Sequence, residues 1–210
     1  LTTAPIKAHG HHVFRFPIVQ TGTYWYHSHT MLQEQIGMYG ALIIHKKEKS
    51  SLPEYPLLLS DWSDENPKQI ERSLHYATDW YAIKKGAAQS YAEAVRAGKL
   101  TTKIENEFKR MMAMDVSDVY YQRVLSNGRP VQHFKNLQKG DSIRLRVING
   151  SASTYFWLNY AGGKFWVVAS DGMDVEPVAV DRLIVGVSES YDVIVKIPDD
   201  GSYEFRATSE

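Results

Sequence analysis

One change of period constrains the fold of this chain more than any other feature. From about Pro67 to Met114, Ala, Lys, Glu, Gln and Leu dominate and runs of β-branched residues vanish, so this stretch favours helix. Asn66-Pro67 marks a helix start and Ala97-Gly98 a break, which predicts two or three short helices. On both sides the chain reads as short strands. His11–Ile18, Gly22–Thr30, Ala41–Ile44 and Tyr55–Trp62 precede the helical stretch. Val119–Leu125, Ser142–Asn149, Phe165–Ala169, Arg182–Val187, Tyr191–Ile197 and Ser202–Ala207 follow it, and Asn127-Gly128 is a strong hairpin signal. Many short strands at this spacing predict an all-β chain of Greek-key sandwich or barrel type. The charged segment around Lys46 to Pro53 is the best linker. The expected organisation is therefore the end of one β-domain over 1–46, a linker over 47–54, and a second β-domain over 55–210 with a helical insertion at about 65–115.

Composition excludes several functions. Lys+Arg and Asp+Glu are both 24, so the chain has no basic excess with which to hold nucleic acid. No apolar run approaches the ~20 residues needed to cross a bilayer. The first residues, Leu1 to Pro5, lack the pattern of a signal peptide, so they do not report localisation. Cysteine is absent, which removes disulfides and thiolate ligands. A blue-copper centre needs a Cys beside two His, so none can be completed from these residues.

His27-Ser28-His29 is the sharpest chemical feature. Residues i and i+2 of a strand face the same way, ~6–7 Å apart, so both imidazoles are expected on one face and Ser28 on the other. Paired imidazoles suit copper or zinc. A bare His-x-His in a strand is more often an incidental surface or core pair, and two ligands fall short of a tight site. Context decides. The run Gly22-Thr23-Tyr24-Trp25-Tyr26-His27-Ser28-His29-Thr30 is followed by Gln33, Gly37, Gly40 and the apolar Leu42-Ile43-Ile44.

That string resembles a histidine motif of the multicopper oxidase family: Gly-Thr-x-Trp-Tyr-His-Ser-His, then Gln, two Gly and a closing apolar strand. Leu1 to Ile6 look like the segment after the family's first His-x-His motif. Leu59-Ser60-Asp61-Trp62 resembles the opening of its second cupredoxin domain. Asn127-Gly128, Arg144 to Asn149, Ala169-Ser170-Asp171-Gly172 and Tyr191-Asp192-Val193 resemble that domain's later strands. The helical insertion is most similar to the laccase-like, copper-resistance branch of bacterial enzymes.

The resemblance implies cupredoxin-like Greek-key sandwiches, the first incomplete and the second carrying the insertion. It implies a parent enzyme that couples one-electron oxidation of Cu(I) or a phenolic substrate to reduction of dioxygen to water. Copper is the implied cofactor, with His27 and His29 as type 3 ligands of a trinuclear cluster completed by residues outside this chain. The implied partners are dioxygen, a small reducing substrate or Cu(I), and missing first and third cupredoxin segments. Periplasmic or other exported localisation is implied in the same way. The alternative is a non-catalytic cupredoxin-type copper-binding or assembly protein.

Other candidates carry less. His9, His11 and His12 read as a solvated loop rather than an accessory copper site. Met111, Met112 and Met114 have soft thioethers suited to Cu(I), or fill a helix-packing gap. Met31 and Met38 read as packing residues. Tyr24, Trp25, Tyr26, Trp157 and Trp166 read as sandwich core or interface. Asp61 and Asp171 follow strands and precede turns, where a carboxylate accepts from backbone N–H groups; a place in a proton path is the alternative.

Overall fold

The computed structural model describes residues 4–48, 50–76, 79–109 and 119–210. Contacts divide it into two units, one comprising residues 1–61 and 124–210, the other Trp62–Arg123.

Among the described residues, the first unit holds eleven strands in three sheets. β1 (Gly22–His27) and β2 (Tyr39–Ile44) form an antiparallel hairpin. The largest sheet has six strands, in the order β4 (Arg123–Ser126), β3 (Glu54–Trp62), β5 (Ser142–Asn149), β10 (Ser190–Lys196), β7 (Phe165–Ser170) and β8 (Met173–Val180). The third sheet runs β11 (Phe205–Ser209), β6 (Phe156–Tyr160), β9 (Arg182–Val185). β3 lies parallel to β5, while β10 runs antiparallel to both β5 and β7, so sequence neighbours are separated in the sheet.

Alternation explains the core. In β5, Ile143, Leu145 and Val147 point inward, against Phe156 and Leu158 of β6, Phe165 and Val167 of β7, and Val193 and Val195 of β10. Burying one such side chain is worth roughly 1.5–3 kcal/mol. Trp157 and Trp166 occupy the intervening positions and face outward. Trp166 is 37% exposed, and Trp157 lies under the Arg182 guanidinium.

Several expectations need correction. His11–Ile18 forms no strand: residues 4–20 are almost wholly exposed, including Val13, Phe14, Phe16 and Ile18. Alternation alone does not make a strand, because its N–H and C=O groups need a neighbouring strand. Two strands, β6 and β8, lie where the sequence pattern predicts none. β8 carries Pro177, which demotes a strand in sequence terms, yet it lies at a sheet edge where a missing donor is tolerated.

The second unit contains four helices among the described residues, not two or three: α1 (Pro67–His75), α2 (Trp80–Lys84), α3 (Tyr91–Arg96) and α4 (Leu100–Lys109). α1 starts where expected, with Pro67 in the first turn and the Asn66 side chain accepting from Lys68 N–H. Ser90 and Glu93 form a capping box that starts α3 separately from α2. Tyr81 is buried and donates to Glu65; burial and that neighbouring carboxylate push its phenol up to about 12. Met111, Met112 and Met114 lie outside the described residues.

The Asn127-Gly128 signal is realised as a tight turn. Asn127 and Gly128 have φ of 49° and 75°, and Ser126 and Arg129 exchange two backbone hydrogen bonds. A β-carbon at Gly128 meets no atom within 4 Å, so the cost of adding one is purely conformational. Gly128→Ala should therefore lower unfolding free energy by about 1–2 kcal/mol in urea titrations. An unchanged midpoint would show that the turn does not need a left-handed residue there.

Candidate metal centre

β1 places the histidine motif. His27 is its last residue and pairs with Tyr39 across the hairpin; His29 follows two positions on. Strand alternation puts Thr23, Trp25 and His27 on one face. The rings continue that order: Trp25 stacks on His27 at 4.1 Å and 6°, and the His27 and His29 centroids are 4.5 Å apart. The imidazoles are therefore neighbours on one side of the chain. His27 is half-buried and His29 exposed.

The loop from Ser28 to Met38 is closed by its own hydrogen bonds. Met38 N–H donates to Gln33 O and Gly37 N–H to Glu34 O, the paired pattern of a Schellman turn. Gly37, at φ 101°, supplies the left-handed residue that this turn requires. Ser28 turns to the other face, where its hydroxyl donates to Gln33 Oε1 at 2.6 Å and accepts from Thr30 N–H. The turn also brings the Glu34 carboxylate to 2.7 Å from His27 Nδ1. Gly40 lies beneath the Tyr26 ring, where a β-carbon would approach to 2.5 Å of the hydroxyl oxygen. Gln33, Gly37 and Gly40 thus each have a mechanical part in holding the histidines. Glu34 carries no sequence signal beyond following Gln33 directly.

At its other end the same strand face is fixed to the large sheet. The Arg146 guanidinium donates to both Glu54 oxygens, to Asp192 Oδ2 at 2.9 Å and to Thr23 Oγ1 at 2.8 Å. Thr23 Oγ1 donates in turn to Asp192, and Ser190 Oγ donates to Thr23 O. Burial pushes the Glu54 carboxyl up, but bonding to Arg146 and the charges of Arg146 and Arg144 outweigh it and hold it below the usual range. For Asp192, burial dominates and its carboxyl lies above the usual range despite Thr23 and both arginines. Sequence reasoning missed this network. The available signal was Arg144-x-Arg146 on the outer face of β5, opposite the inward Ile143, Leu145 and Val147.

The remaining candidates do not join the pair. His9, His11 and His12 are exposed on residues 4–20, and His133 is exposed. His45 lies 3.3 Å from Glu54. Met31 and Met38 are 84% and 54% exposed, so neither fills a gap in this unit. Asp61 lies within β3 rather than in a turn, and from there accepts from the N–H groups of Ala152, Ser153 and Thr154; Asp171 sits in the turn between β7 and β8 and accepts from Ser190 N–H. Among the described residues, no group of three or more His, Cys, Asp or Glu could hold a metal ion. Two adjacent imidazoles fit an imidazole-preferring metal as part of a donor set, not as a complete one.

Known proteins resemble this chain along nearly its whole length. Residues 1–49 and residues 53–210 match two family models, each described as multicopper oxidase. The chain is 40% identical over 215 residues to a copper resistance protein A homolog of Pseudomonas syringae pv. tomato, covering 97% of this chain and 36% of that protein. To copper resistance protein A of Escherichia coli it is 41% identical over 209 residues, covering 94% and 34%. The chain thus spans about a third of the length of these relatives. The crystal structure of Fet3p, a multicopper oxidase that functions in iron import, superposes with a TM-score of 0.64 at 20% identity, over 91% of this chain and 30% of that one. That likeness establishes the cupredoxin fold. Two adjoining family models and relatives at about 40% identity along nearly its whole length establish that the chain belongs to the multicopper oxidase family.

Proposed function

We propose that this chain is part of a copper-dependent oxidase of the copper-resistance branch, in which His27 and His29 are type 3 copper ligands. The observation that carries the reading is the pair of imidazoles 4.5 Å apart at the end of β1, inside the motif typical of the family. The copper cluster, once completed by histidines from elsewhere in the parent, supplies the reduction of dioxygen to water. Cu(I) or a phenol is the proposed electron donor, and export to the periplasm the proposed location. Among the described residues no helix is long and apolar enough to cross a membrane.

The chain's own residues have mechanical parts in this reading. Residues 1–46 are the end of a first cupredoxin domain, 47–54 a linker, and 55–210 a second domain that acts as spacer. Trp25 covers one face of His27, the Ser28–Gln33 bond shapes the loop, and the Thr23–Arg146–Asp192 network ties the hairpin to the spacer.

Two outcomes test the proposal. The gene is expected to encode a His-Cys-His stretch beyond Glu210; a parent lacking it would favour the non-catalytic copper-binding alternative. The 210-residue chain, mixed with Cu(II), is expected to show neither intense blue colour nor oxidase turnover, because it has no Cys and, among the described residues, no group of three or more metal-ligating side chains beyond the His27–His29 pair. Turnover by the chain alone would contradict the division of ligands proposed.

A further inference from the structure

Glu34 has no assigned part in the oxidase, yet its carboxylate is aimed at one atom of the motif. Glu34 Oε2 is 2.7 Å from His27 Nδ1 and is held there by the Schellman turn that ends at Gly37. A carboxylate only accepts hydrogen bonds, so in the neutral ring the proton must sit on Nδ1. The lone pair is then left on Nε2. Trp25, stacked 4.1 Å away and nearly parallel, restricts rotation of the same ring. Ring orientation and tautomer are thus controlled by separate residues.

We infer that Glu34 is a positioning residue that locks His27 in its Nδ1–H tautomer and so presents Nε2 as the metal-binding nitrogen. The inference rests on the reading of His27 as a copper ligand. Its physical basis is general: an outer carboxylate that takes the second N–H of a ligating imidazole fixes its tautomer and raises its basicity. His29 serves as an internal control, since Glu34 acts on His27.

The test has an arm that needs no copper. In the metal-free chain labelled with 15N-histidine, at alkaline pH, long-range 1H–15N correlations report each tautomer. His27 is expected as Nδ1–H in the wild type. Glu34→Ala should bring in Nε2–H signals for His27 and leave His29 unchanged. Glu34→Gln, which keeps the size of the side chain, should do the same in part, because a carboxamide can donate as well as accept. A wild-type His27 in the Nε2–H form overturns the inference. So does an unaltered Nδ1–H form in both folded variants.

The second arm uses the full-length parent and measures copper retained after dialysis against a chelator. Glu34→Ala is expected to weaken retention about 10–100-fold. If His27→Ala loses copper and Glu34→Ala does not, the ligand reading stands and the part assigned to Glu34 is overturned. If the tautomer shifts as expected but His27→Ala retains all its copper, the ligand reading fails while Glu34's hold on the ring stands.

Discussion

Replacing Arg146 by Ala is expected to cost about 3–5 kcal/mol of unfolding free energy, a large part of what holds a domain of this size together. The side chain is 7% exposed and is the hub of a network of two arginines, two carboxylates and Thr23. Its removal leaves the half-buried Glu54 and the buried Asp192 without their principal cation; Arg144 stays as an ion-pair partner 3.7 Å from Glu54 and 3.6 Å from Asp192, beyond hydrogen-bond reach of either, and offsets only part of the loss. Thr23→Val, which removes one buried hydroxyl between Arg146 and Asp192, is expected to cost less, about 1–3 kcal/mol. Urea titrations of the three proteins supply the comparison. Amide exchange should show where the loss falls, with protection in β1 falling first because Thr23 is its fully buried residue. A loss below about 1 kcal/mol for Arg146→Ala would mean the network is solvated and contributes little.

Such a result would also bear on the histidines. Thr23 and His27 are four residues apart on one strand face, so whatever seats Thr23 on β5 and β10 also sets the direction in which His27 leaves the hairpin. The stability of the network and the aim of the two histidines are therefore linked through the strand.

Much of this arrangement was legible in the sequence, for reasons that can be stated locally. Asn127-Gly128 demands two left-handed residues, and Asn66-Pro67 offers a cap and a fixed φ at a helix start; both signals act within four residues. The stretch from Gly22 to Gly40 is informative because several of its members have a physical part. Trp25 stacks, Ser28 ties the loop, and Gly40 leaves space for Tyr26. What was not legible depends on contacts distant in sequence. Nothing near Arg146 indicates that Thr23, 123 residues earlier, would be its partner. Residues 11–18 alternate like a strand, but no ladder receives them, and a single chain's pattern does not reveal whether a neighbour exists. β8 hid behind Pro177 because edge position is a property of the sheet and not of the strand.

The most direct measurement is oxygen uptake and visible absorption recorded on the same preparation of the full-length parent carrying His29→Ala. On the proposed reading His29 is a type 3 ligand of the oxygen-reducing cluster, whereas a blue centre would need a Cys from outside this Cys-free chain. Losing a direct ligand should exceed the roughly 10–100-fold effect of outer-shell changes. The expected result is oxygen uptake reduced beyond that range with the blue absorption band largely retained. Uptake at the wild-type rate would contradict the assignment of His29. Loss of both uptake and the blue band would show that the substitution damages the protein generally, and would remove the support for a separate oxygen-reducing site at His27 and His29.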